Sequence, residues 1–409
     1  MSTTDEYIDL SDHDQFRDGV PHAAFARLRR EDPVHWNPEQ QGERGFWAVT
    51  RYADIRAVHR NPDVFSSEIG GTSLDDLEPD QIEARKSMID MDPPRHDELR
   101  GLVNRRFTPK AVGVWEERVR EVVGQVLDKA LPKGELDFVE EISSEIPMQV
   151  FADILGVPQD ERRTIIDLTN RLLGREDPEY AVEGYGDPAY RNLPFSSPAA
   201  LEMFAFGRRI AADRRRHTRD DVMSDLVAAG LTQRELDVYF ILLASAGNET
   251  TRHTISHALI ALNEHPDQRQ RLRASFTELG KPATEELLRW ATPVQHFRRT
   301  ARVDTELGGK QIKAGDKLTT WFASGNRDET VFAEPDRFDI ARTPNPHMTF
   351  GPGGIHLCLG SHLARMEVRI TFEDLFSRGV WLELTGPPQR LRSNTFNGIK
   401  HLPVRVVSA

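Results

Sequence analysis

The chain has 409 residues, a net charge of -12 and one cysteine. The acidic balance argues against a nucleic-acid-binding protein, and a single thiol excludes an internal disulfide and fits a reducing compartment. No signal peptide, transit peptide or span of roughly 20 apolar residues is evident, so we expect a cytoplasmic protein without a membrane anchor.

The N-terminal part contains short elements. A helical pattern covers 21–31, and strand-like runs at 33–36 and 45–50 predict a small hairpin joined by a polar turn. The segment 63–94 is a mixed loop region without a regular pattern. A minor sheet is therefore expected near the N-terminus.

From Lys110 to about Leu288 the pattern is mainly helical, and short strand-like runs return after Val380. The exception is 175–198, where Gly, Pro and Tyr are mixed with acidic residues. Irregular segments of this length are often lids or binding loops, and a disordered insertion is the alternative. The patterns together predict a mainly α fold with small β-sheets near the N-terminus and in the C-terminal part.

The segment Thr232 to His265 is the clearest long helix. Thr232 and Glu235 have the spacing of a capping box, and Pro266 gives a stop signal. At 1.5 Å per residue this helix would be roughly 50 Å long, enough to cross a whole domain. Its apolar run 238–244 predicts that it lies in the core.

The stretch from Ala246 to Thr251 places mediocre helix formers at the centre of this helix. Gly247 removes a side chain that would block a ligand or water, and Thr250 can donate back to the Ala246 carbonyl. A buried Glu249 must be paired or hydrated. The pattern predicts a helix that is broken at its centre, with an acid and an alcohol placed to deliver protons; the alternative is an exposed polar patch.

Two further pairs share helix faces. Glu286 and Arg289 can form an ion pair at i, i+3, and an arginine of the later segment 335–338 can bind the same carboxylate. His253 and His257 have the i, i+4 spacing of a zinc site, but a threonine replaces the glutamate of the metalloprotease pattern. We therefore interpret the two histidines as structural.

Cys358 lies in the loop 350–360, which reads Phe-Gly-Pro-Gly-Gly-Ile-His-Leu-Cys-Leu-Gly. Its glycines allow the backbone to approach a ligand closely, and N–H groups in such a loop can stabilise a thiolate. Without a second cysteine, structural zinc and iron–sulfur sites are disfavoured, whereas an axial thiolate on a haem iron needs only one. The alternative is a small buried hydrophobe.

Together these motifs resemble the cytochrome P-450 family of haem-thiolate monooxygenases. The loop 350–360 is similar to the haem loop of that family, with one extra residue between the glycines and His356. The segment 246–251 resembles its oxygen-activation motif. The resemblance covers nearly the whole chain and implies a single haem-thiolate monooxygenase domain over 1–409, with the long central helix lying over a haem.

The resemblance also implies structural and haem-binding residues. Glu286 and Arg289 match the Glu-x-x-Arg motif of the family, and Arg337 is implied as the third member. The implied cofactor is haem b, bound without covalent thioether links and with Cys358 as the axial ligand. Its propionates are implied to contact four cationic residues: His96, Arg100, Arg298 and His356.

The implied reaction uses O2 and two electrons to hydroxylate a C–H bond, with Glu249 and Thr250 as the residues that deliver protons. The implied substrate is a small hydrophobic molecule such as a terpenoid, a steroid side chain or a branched lipid. By resemblance, its pocket is lined by apolar residues: Leu242, Leu243, Ala246, Val294, Phe297 and Phe396.

The chain has no flavin or iron–sulfur signature, so its electrons must come from separate proteins. The resemblance implies a ferredoxin and a ferredoxin reductase, and we expect the enzyme to be a monomer. Arg105, Arg106, Arg365 and Arg369 are candidates for a docking face, with ordinary solvated charge as the alternative.

Two other functions would also need Cys358. One is a haem-thiolate protein that senses or binds a gas without oxidation, and the other is a peroxide-driven oxidant. Neither requires the neighbouring pair Glu249 and Thr250. The pair therefore favours the monooxygenase.

Overall fold

The computed structural model describes residues 8–38 and 44–408. The α-helices in these residues are α1 His22–Glu31, α2 Tyr52–His59, α3 Pro79–Arg85, α4 Arg95–Asn104, α5 Pro109–Gly113, α6 Glu116–Ala130, α7 Glu145–Leu155, α8 Arg162–Leu173, α9 Ala199–Arg216, α10 Val222–Ala228, α11 Gln233–Glu264, α12 Pro266–Ala274, α13 Phe276–Ala291, α14 Phe322–Gly325 and α15 Ser361–Ser377. The strands are β1 Val34–Asn37, β2 Phe46–Val49, β3 Phe65–Ser66, β4 Glu135–Asp137, β5 His296–Ala301, β6 Thr305–Leu307, β7 Lys310–Ile312, β8 Lys317–Trp321, β9 Val380–Leu384, β10 Gln389–Arg390, β11 Ile399–His401 and β12 Pro403–Ser408. The fold is mainly α with small sheets, as predicted.

The predicted hairpin and the predicted C-terminal strands are present, whereas β3 to β8 lie outside the strand-like runs. Strands β1 and β2 form the antiparallel hairpin, with Val34 opposite Val49; the predicted turn includes residues 39–43, which lie outside the described residues. Strand β2 pairs in parallel with β8, giving a five-stranded sheet in the order β1-β2-β8-β5-β3. A second sheet, β4-β12-β9, joins two strands of the C-terminal part to β4 from an earlier part of the chain. The first sheet therefore also includes β5 and β8, which follow the mainly helical part of the chain.

Helix α11 begins with the predicted capping box. The Thr232 hydroxyl accepts a hydrogen bond from the Glu235 N–H at 3.2 Å, and the Glu235 carboxylate accepts one from the Thr232 N–H at 2.9 Å. The helix contacts α7, α9, α13 and α15, and most of its residues are buried. The prediction of a long core helix is confirmed.

The predicted break in α11 is wrong. The helix is continuous from Gln233 to Glu264, and the Thr250 hydroxyl donates to the Ala246 carbonyl at 3.0 Å. Intrinsic propensities differ by less than about 1 kcal/mol per residue, and packing against neighbouring helices supplies most helix stability. Tertiary contacts therefore keep the stretch helical.

The two irregular segments contain short elements and contact each other. The segment 63–94 holds β3, α3 and a 3-10 turn, and 175–198 holds two further 3-10 turns. The Arg175 guanidinium joins them, because its Nη2 donates to both carboxylate oxygens of Asp75 at 3.0 and 2.8 Å. A lid function for 175–198 stays a prediction.

Three parts of the fold position the candidate site: α11, β5 and the loop that precedes α15. They enclose a cavity next to the largest hydrophobic core. In the described parts of the chain, the helices are too short or too polar to cross a membrane.

Candidate active site

The cavity lies between the middle of α11 and the loop that carries Cys358. The cavity has a volume of about 230 Å³, and most of the lining side chains are apolar. Five of the six predicted pocket residues line it: Leu242, Leu243, Ala246, Val294 and Phe297.

Phe396, the sixth predicted pocket residue, is not among the lining residues. Its backbone forms an isolated antiparallel bridge with Val294, so it lies directly behind a residue that does line the cavity. Its link to this cavity is therefore through Val294, and a contact with the substrate stays a prediction.

The glycines of the Cys358 loop are required by its backbone. Gly351, Gly353 and Gly354 have φ values of 94°, 96° and 90°, in the left-handed region that favours glycine. A Cβ on Gly354 would lie 2.2 Å from the His59 carbonyl oxygen, so the loop could not approach α2 as closely with any other residue. The Cys358 N–H donates to the Phe350 carbonyl at 2.9 Å and closes the loop.

The Cys358 thiol faces the cavity. Protein surrounds the Cys358 side chain, and the part of its surface that stays accessible faces this cavity. Burial raises the pKa of the thiol, and the Gly360 N–H together with the Arg100 and Arg365 charges acts in the opposite direction. These groups would favour the thiolate once a metal replaces the proton.

One wall of the cavity carries cationic side chains. They include His96, Arg100 and His356, the residues that were predicted to contact the propionates. Arg100 donates to the Leu357 carbonyl at 2.7 Å, and the rings of His96 and His356 are 4.5 Å apart. The buried Nε2 of His96 has no hydrogen-bond partner among the described residues. An unpartnered buried nitrogen beside a guanidinium fits the carboxylates of a haem, which need cationic partners when buried.

Arg298, which was predicted to contact the haem, does not line the cavity. Its Nη1 donates to the Asp75 carbonyl at 2.7 Å and lies 3.4 Å from Asp76 Oδ1, on the other face of β5 from the cavity. Successive side chains of a strand point to opposite faces, and Arg299 is the one that lines the cavity together with Phe297. Because Phe297 was expected in the pocket, this alternation could have identified Arg299 from the sequence.

Arg299 is fixed by a residue that sequence reasoning missed. Its Nη2 lies 3.2 Å from Nδ1 of His59, which also lines the cavity. Burial lowers the pKa of Arg299 to about 10 and holds the pKa of His59 well below its usual range. Arg299 therefore stays charged at neutral pH and His59 stays neutral. No sequence motif marks His59, because its role depends on contacts between distant segments.

The acid and the alcohol of α11 occupy different environments. Thr250 lines the cavity, whereas Glu249 does not. The Glu249 carboxylate is buried beside the Arg252 guanidinium, and its Oε2 lies 3.2 Å from His253 Nε2. Burial opposes ionisation, but Arg252 and His253 outweigh it and hold the Glu249 pKa below its usual range.

The space expected to be open beside Gly247 is also occupied. A Cβ on Gly247 would lie 2.4 Å from a ring carbon of Phe151 on α7. Gly247 therefore leaves room for the Phe151 ring to pack against α11, in the space that was expected for a ligand or water. Both residues line the cavity.

The buried pair Glu286 and Arg289 forms as predicted, with two N–O distances of 2.8 Å. The third member is Arg342, whose Nε lies 3.3 and 3.2 Å from the two Glu286 oxygens. The prediction for Arg337 is wrong, because its side chain pairs with Glu334 at the surface and only its carbonyl oxygen faces the network. Motif spacing could not distinguish two arginines that lie five residues apart in an irregular segment.

The predicted docking arginines are all paired with carboxylates. Arg105 and Arg106 contact Asp225, Arg365 contacts Glu285, and Arg369 contacts Glu116. Near them is a groove lined in part by Lys281, His362 and Met366. In the described part of the chain, no carboxylate pairs with Lys281 or with the neighbouring exposed Lys110.

His253 and His257 make structural contacts, consistent with their interpretation from the sequence. The Ile399 N–H donates to His253 Nδ1 at 3.2 Å, and His257 Nε2 lies 2.9 Å from the Asn397 carbonyl oxygen. Both rings therefore connect α11 to the segment around β11.

The cytochrome P450 family model matches residues 201–397. The methyl-branched lipid omega-hydroxylase of Mycobacterium tuberculosis (strain ATCC 25618 / H37Rv) is 40% identical over 404 residues, which are 96% of this chain and 91% of that protein. The steroid C26-monooxygenase of Rhodococcus jostii (strain RHA1) is 37% identical over 413 residues, which are 98% of this chain and 84% of that protein. The solved structure of a Mycobacterium marinum cytochrome P450 in complex with pseudoionone has a TM-score of 0.88 and 37% identity, covering 99% of this chain and 100% of that chain. These similarities support an oxidising enzyme rather than a gas sensor.

Proposed function

The chain belongs to the cytochrome P450 family of haem b-binding, hydroxylating monooxygenases, and we propose that the cavity beside Cys358 is where it oxidises its substrate. One observation carries this proposal: a lone thiol faces an apolar cavity that also has a cationic wall. Cys358 would hold the haem iron through its sulfur. His96, Arg100, Arg299 and His356 would hold the propionates.

The bound haem supplies the activation of O2 and the oxidation of the C–H bond. The protein supplies water exclusion through the apolar wall formed by Leu242, Leu243, Val294 and Phe297. Thr250 places its hydroxyl at the cavity surface while donating to the Ala246 carbonyl, so its oxygen can still accept a hydrogen bond. Glu249 holds a buried carboxylate one residue away, beside the cavity lining. These two side chains are the proposed route for protons.

The proposed substrate is a hydrophobic molecule with an unfunctionalised end, such as a branched lipid, a steroid side chain or a terpenoid. The names of the two relatives support this class, and the apolar lining of the cavity agrees with it. The test is a spectral titration of the ferric enzyme with branched fatty acids, sterols and terpenes, followed by product analysis. Failure of every hydrophobic ligand to bind or to be hydroxylated would refute the proposal.

We propose that a ferredoxin, itself reduced by a ferredoxin reductase, donates electrons at the groove with Lys281 and His362. The unpaired cations Lys110 and Lys281 fit an acidic donor better than the four paired arginines, because paired charges would have to be separated first. Lys281→Glu should slow reduction and make it less dependent on salt. Arg17→Glu, the same charge change at another exposed position, is the control. We further propose that the enzyme acts in the cytoplasm as a monomer.

A further inference from the structure

A carboxylate on α13 ties together the two chain segments that flank Cys358. Glu285 binds the guanidinium of Arg365 on α15 through two hydrogen bonds, from Nε to Oε1 at 2.7 Å and from Nη2 to Oε2 at 3.0 Å. Its Oε2 also accepts a hydrogen bond at 2.9 Å from Nε2 of His347, which lies just before the Cys358 loop. One side chain therefore holds both ends of the loop.

The contact with His347 has a defined proton position. His347 Nδ1 accepts a hydrogen bond from the Thr349 N–H at 3.3 Å, so a ring proton lies on Nε2, which donates it to Glu285. The Thr349 hydroxyl donates to the Leu288 carbonyl at 3.0 Å. Two independent contacts with α13 therefore hold the beginning of the loop.

Arg365 connects the same carboxylate to the cysteine. Its Cζ lies 4.4 Å from the centre of the Phe350 ring, a favourable arrangement of a cation over an aromatic face. The Phe350 carbonyl accepts the Cys358 N–H at 2.9 Å. Arg365 Nη1 also donates at 3.2 Å to the carbonyl of Ser361, the first residue of α15. The position of Arg365 therefore affects the residues on either side of Cys358.

Both members of the ion pair are charged at neutral pH. Burial alone would raise the pKa of Glu285, but the contacts with His347 and Arg365 outweigh burial and lower this pKa to about 2. A guanidinium keeps its charge in proteins. Glu285 thus places a compensating negative charge beside a cation that acts on Cys358.

A second ion pair on α15 has the same chemistry but a different position. Arg369 lies one turn after Arg365, and both arginines line the same groove. Arg369 binds Glu116 at 3.1 Å and Glu373 at 3.2 Å, and these carboxylates belong to α6 and α15 rather than to the Cys358 loop. The pair of Glu116 and Arg369 is therefore a matched control for the pair of Glu285 and Arg365.

We propose that Glu285 is a positioning residue that lowers the reduction potential of the haem, because it holds both flanks of the Cys358 loop and balances the charge of Arg365. The proposal rests on the proposed function, since it takes Cys358 as the ligand of the iron. Reduction adds negative charge to the haem. An unbalanced Arg365 would therefore favour reduction, whereas an unbalanced Glu285 would oppose it.

The test is a double-mutant cycle of reduction potentials, measured by spectroelectrochemistry on the haem-loaded enzymes without substrate. Glu285→Gln should raise the potential and shift the equilibrium between the ferric and ferrous forms by about threefold to tenfold, and Arg365→Gln should lower the potential by a similar factor. The double variant should lie near the wild type, because both charges are absent.

Glu116→Gln is the control for this cycle and should leave the potential unchanged. A potential that does not rise in Glu285→Gln would overturn the proposal. Shifts of the same sign in the two single variants, or an equal shift in Glu116→Gln, would overturn it as well.

A second readout tests the contacts of Glu285 without electron transfer. Hydrogen exchange of the haem-loaded protein should be faster in Glu285→Ala than in the wild type for peptides that cover 347–360, since both flanks of the loop lose a partner. Glu116→Ala should leave these peptides unchanged. Equal exchange in Glu285→Ala and the wild type would overturn the positioning role. If the carbon monoxide spectrum of the reduced wild type lacks the band of thiolate ligation, the proposed function fails, while hydrogen exchange still decides whether Glu285 holds the loop.

Discussion

Replacing Arg342 with glutamine should destabilise the folded enzyme, whereas the same change at Arg337 should have little effect. Glu286 is fully buried and holds Arg289 through two contacts of 2.8 Å. Arg342 Nε lies 3.2 and 3.3 Å from the same carboxylate. The Arg337 side chain is 59% exposed and pairs with Glu334 at 2.9 Å.

The magnitude follows from what each guanidinium contacts. Arg342 also donates to the carbonyls of Ala333, Glu334 and Arg337 at 2.7, 3.1 and 2.8 Å. Breaking a buried ion pair by removing one partner costs about 3–5 kcal/mol. Arg289 still pairs with Glu286 in the variant and glutamine can keep one carbonyl contact, so we expect about 3 kcal/mol. A surface pair such as that of Arg337 contributes about 0–1 kcal/mol.

Urea unfolding of the haem-loaded proteins measures the difference, with loss of the Soret band and of helical circular dichroism as two probes. Arg342→Gln should strongly lower the urea concentration at the midpoint of unfolding, without changing how steeply the unfolding free energy depends on urea. Arg337→Gln should have the same midpoint as the wild type. Equal midpoints for the two variants would refute the assignment of Arg342 as the third member of the network. A larger loss in Arg337→Gln would refute it as well.

Three other predictions concern buried ionisable side chains. Arg299→Gln should lose haem to apomyoglobin during dialysis more readily than Arg298→Gln does. A greater loss of haem from Arg298→Gln would contradict the assignment of Arg299 to the cavity wall. Burial raises the pKa of Glu367 to about 8 from 4.5, so between these pH values the folded state holds a proton that the unfolded state has lost. The free energy of unfolding should therefore fall as the pH rises across this window, by up to about 1.4 kcal/mol per pH unit. Urea titrations of Glu367→Gln should no longer show this pH dependence, and an unchanged pH dependence would show that Glu367 is ionised. Burial lowers the pKa of His296 to about 3 from 6.5, so between these pH values only the unfolded state binds the extra proton. The free energy of unfolding should therefore fall as the pH decreases from 6.5 toward 3. His296→Phe should reduce this fall, and an unchanged fall would show that the histidine is already charged in the folded protein.

Local signals predict the parts of the fold that depend on neighbouring residues. The capping box of Thr232 and Glu235 marks the start of α11, and strand-like runs mark the hairpin of β1 and β2. The glycines before Cys358 indicate a loop with unusual backbone angles, which the structure has. These features were predictable because their physical causes lie within a few residues.

Contacts between distant segments account for the errors. The continuity of α11 through Gly247 depends on packing against Phe151, which is almost a hundred residues earlier. The choice between Arg298 and Arg299 depends on which face of β5 meets the cavity, and that is set by pairing with β8. His59 has no local signal, since its partners Arg299 and Thr320 are distant in sequence.

The central claim, that Cys358 is the thiolate ligand of a haem in this cavity, is tested most directly by the carbon monoxide difference spectrum of the reduced enzyme. The wild type should show the red-shifted Soret band that thiolate ligation produces. Cys358→His should lose this band while its fold, followed by circular dichroism, is retained. A wild-type spectrum of the kind given by histidine ligation, or a red-shifted band that survives in Cys358→His, would contradict the claim.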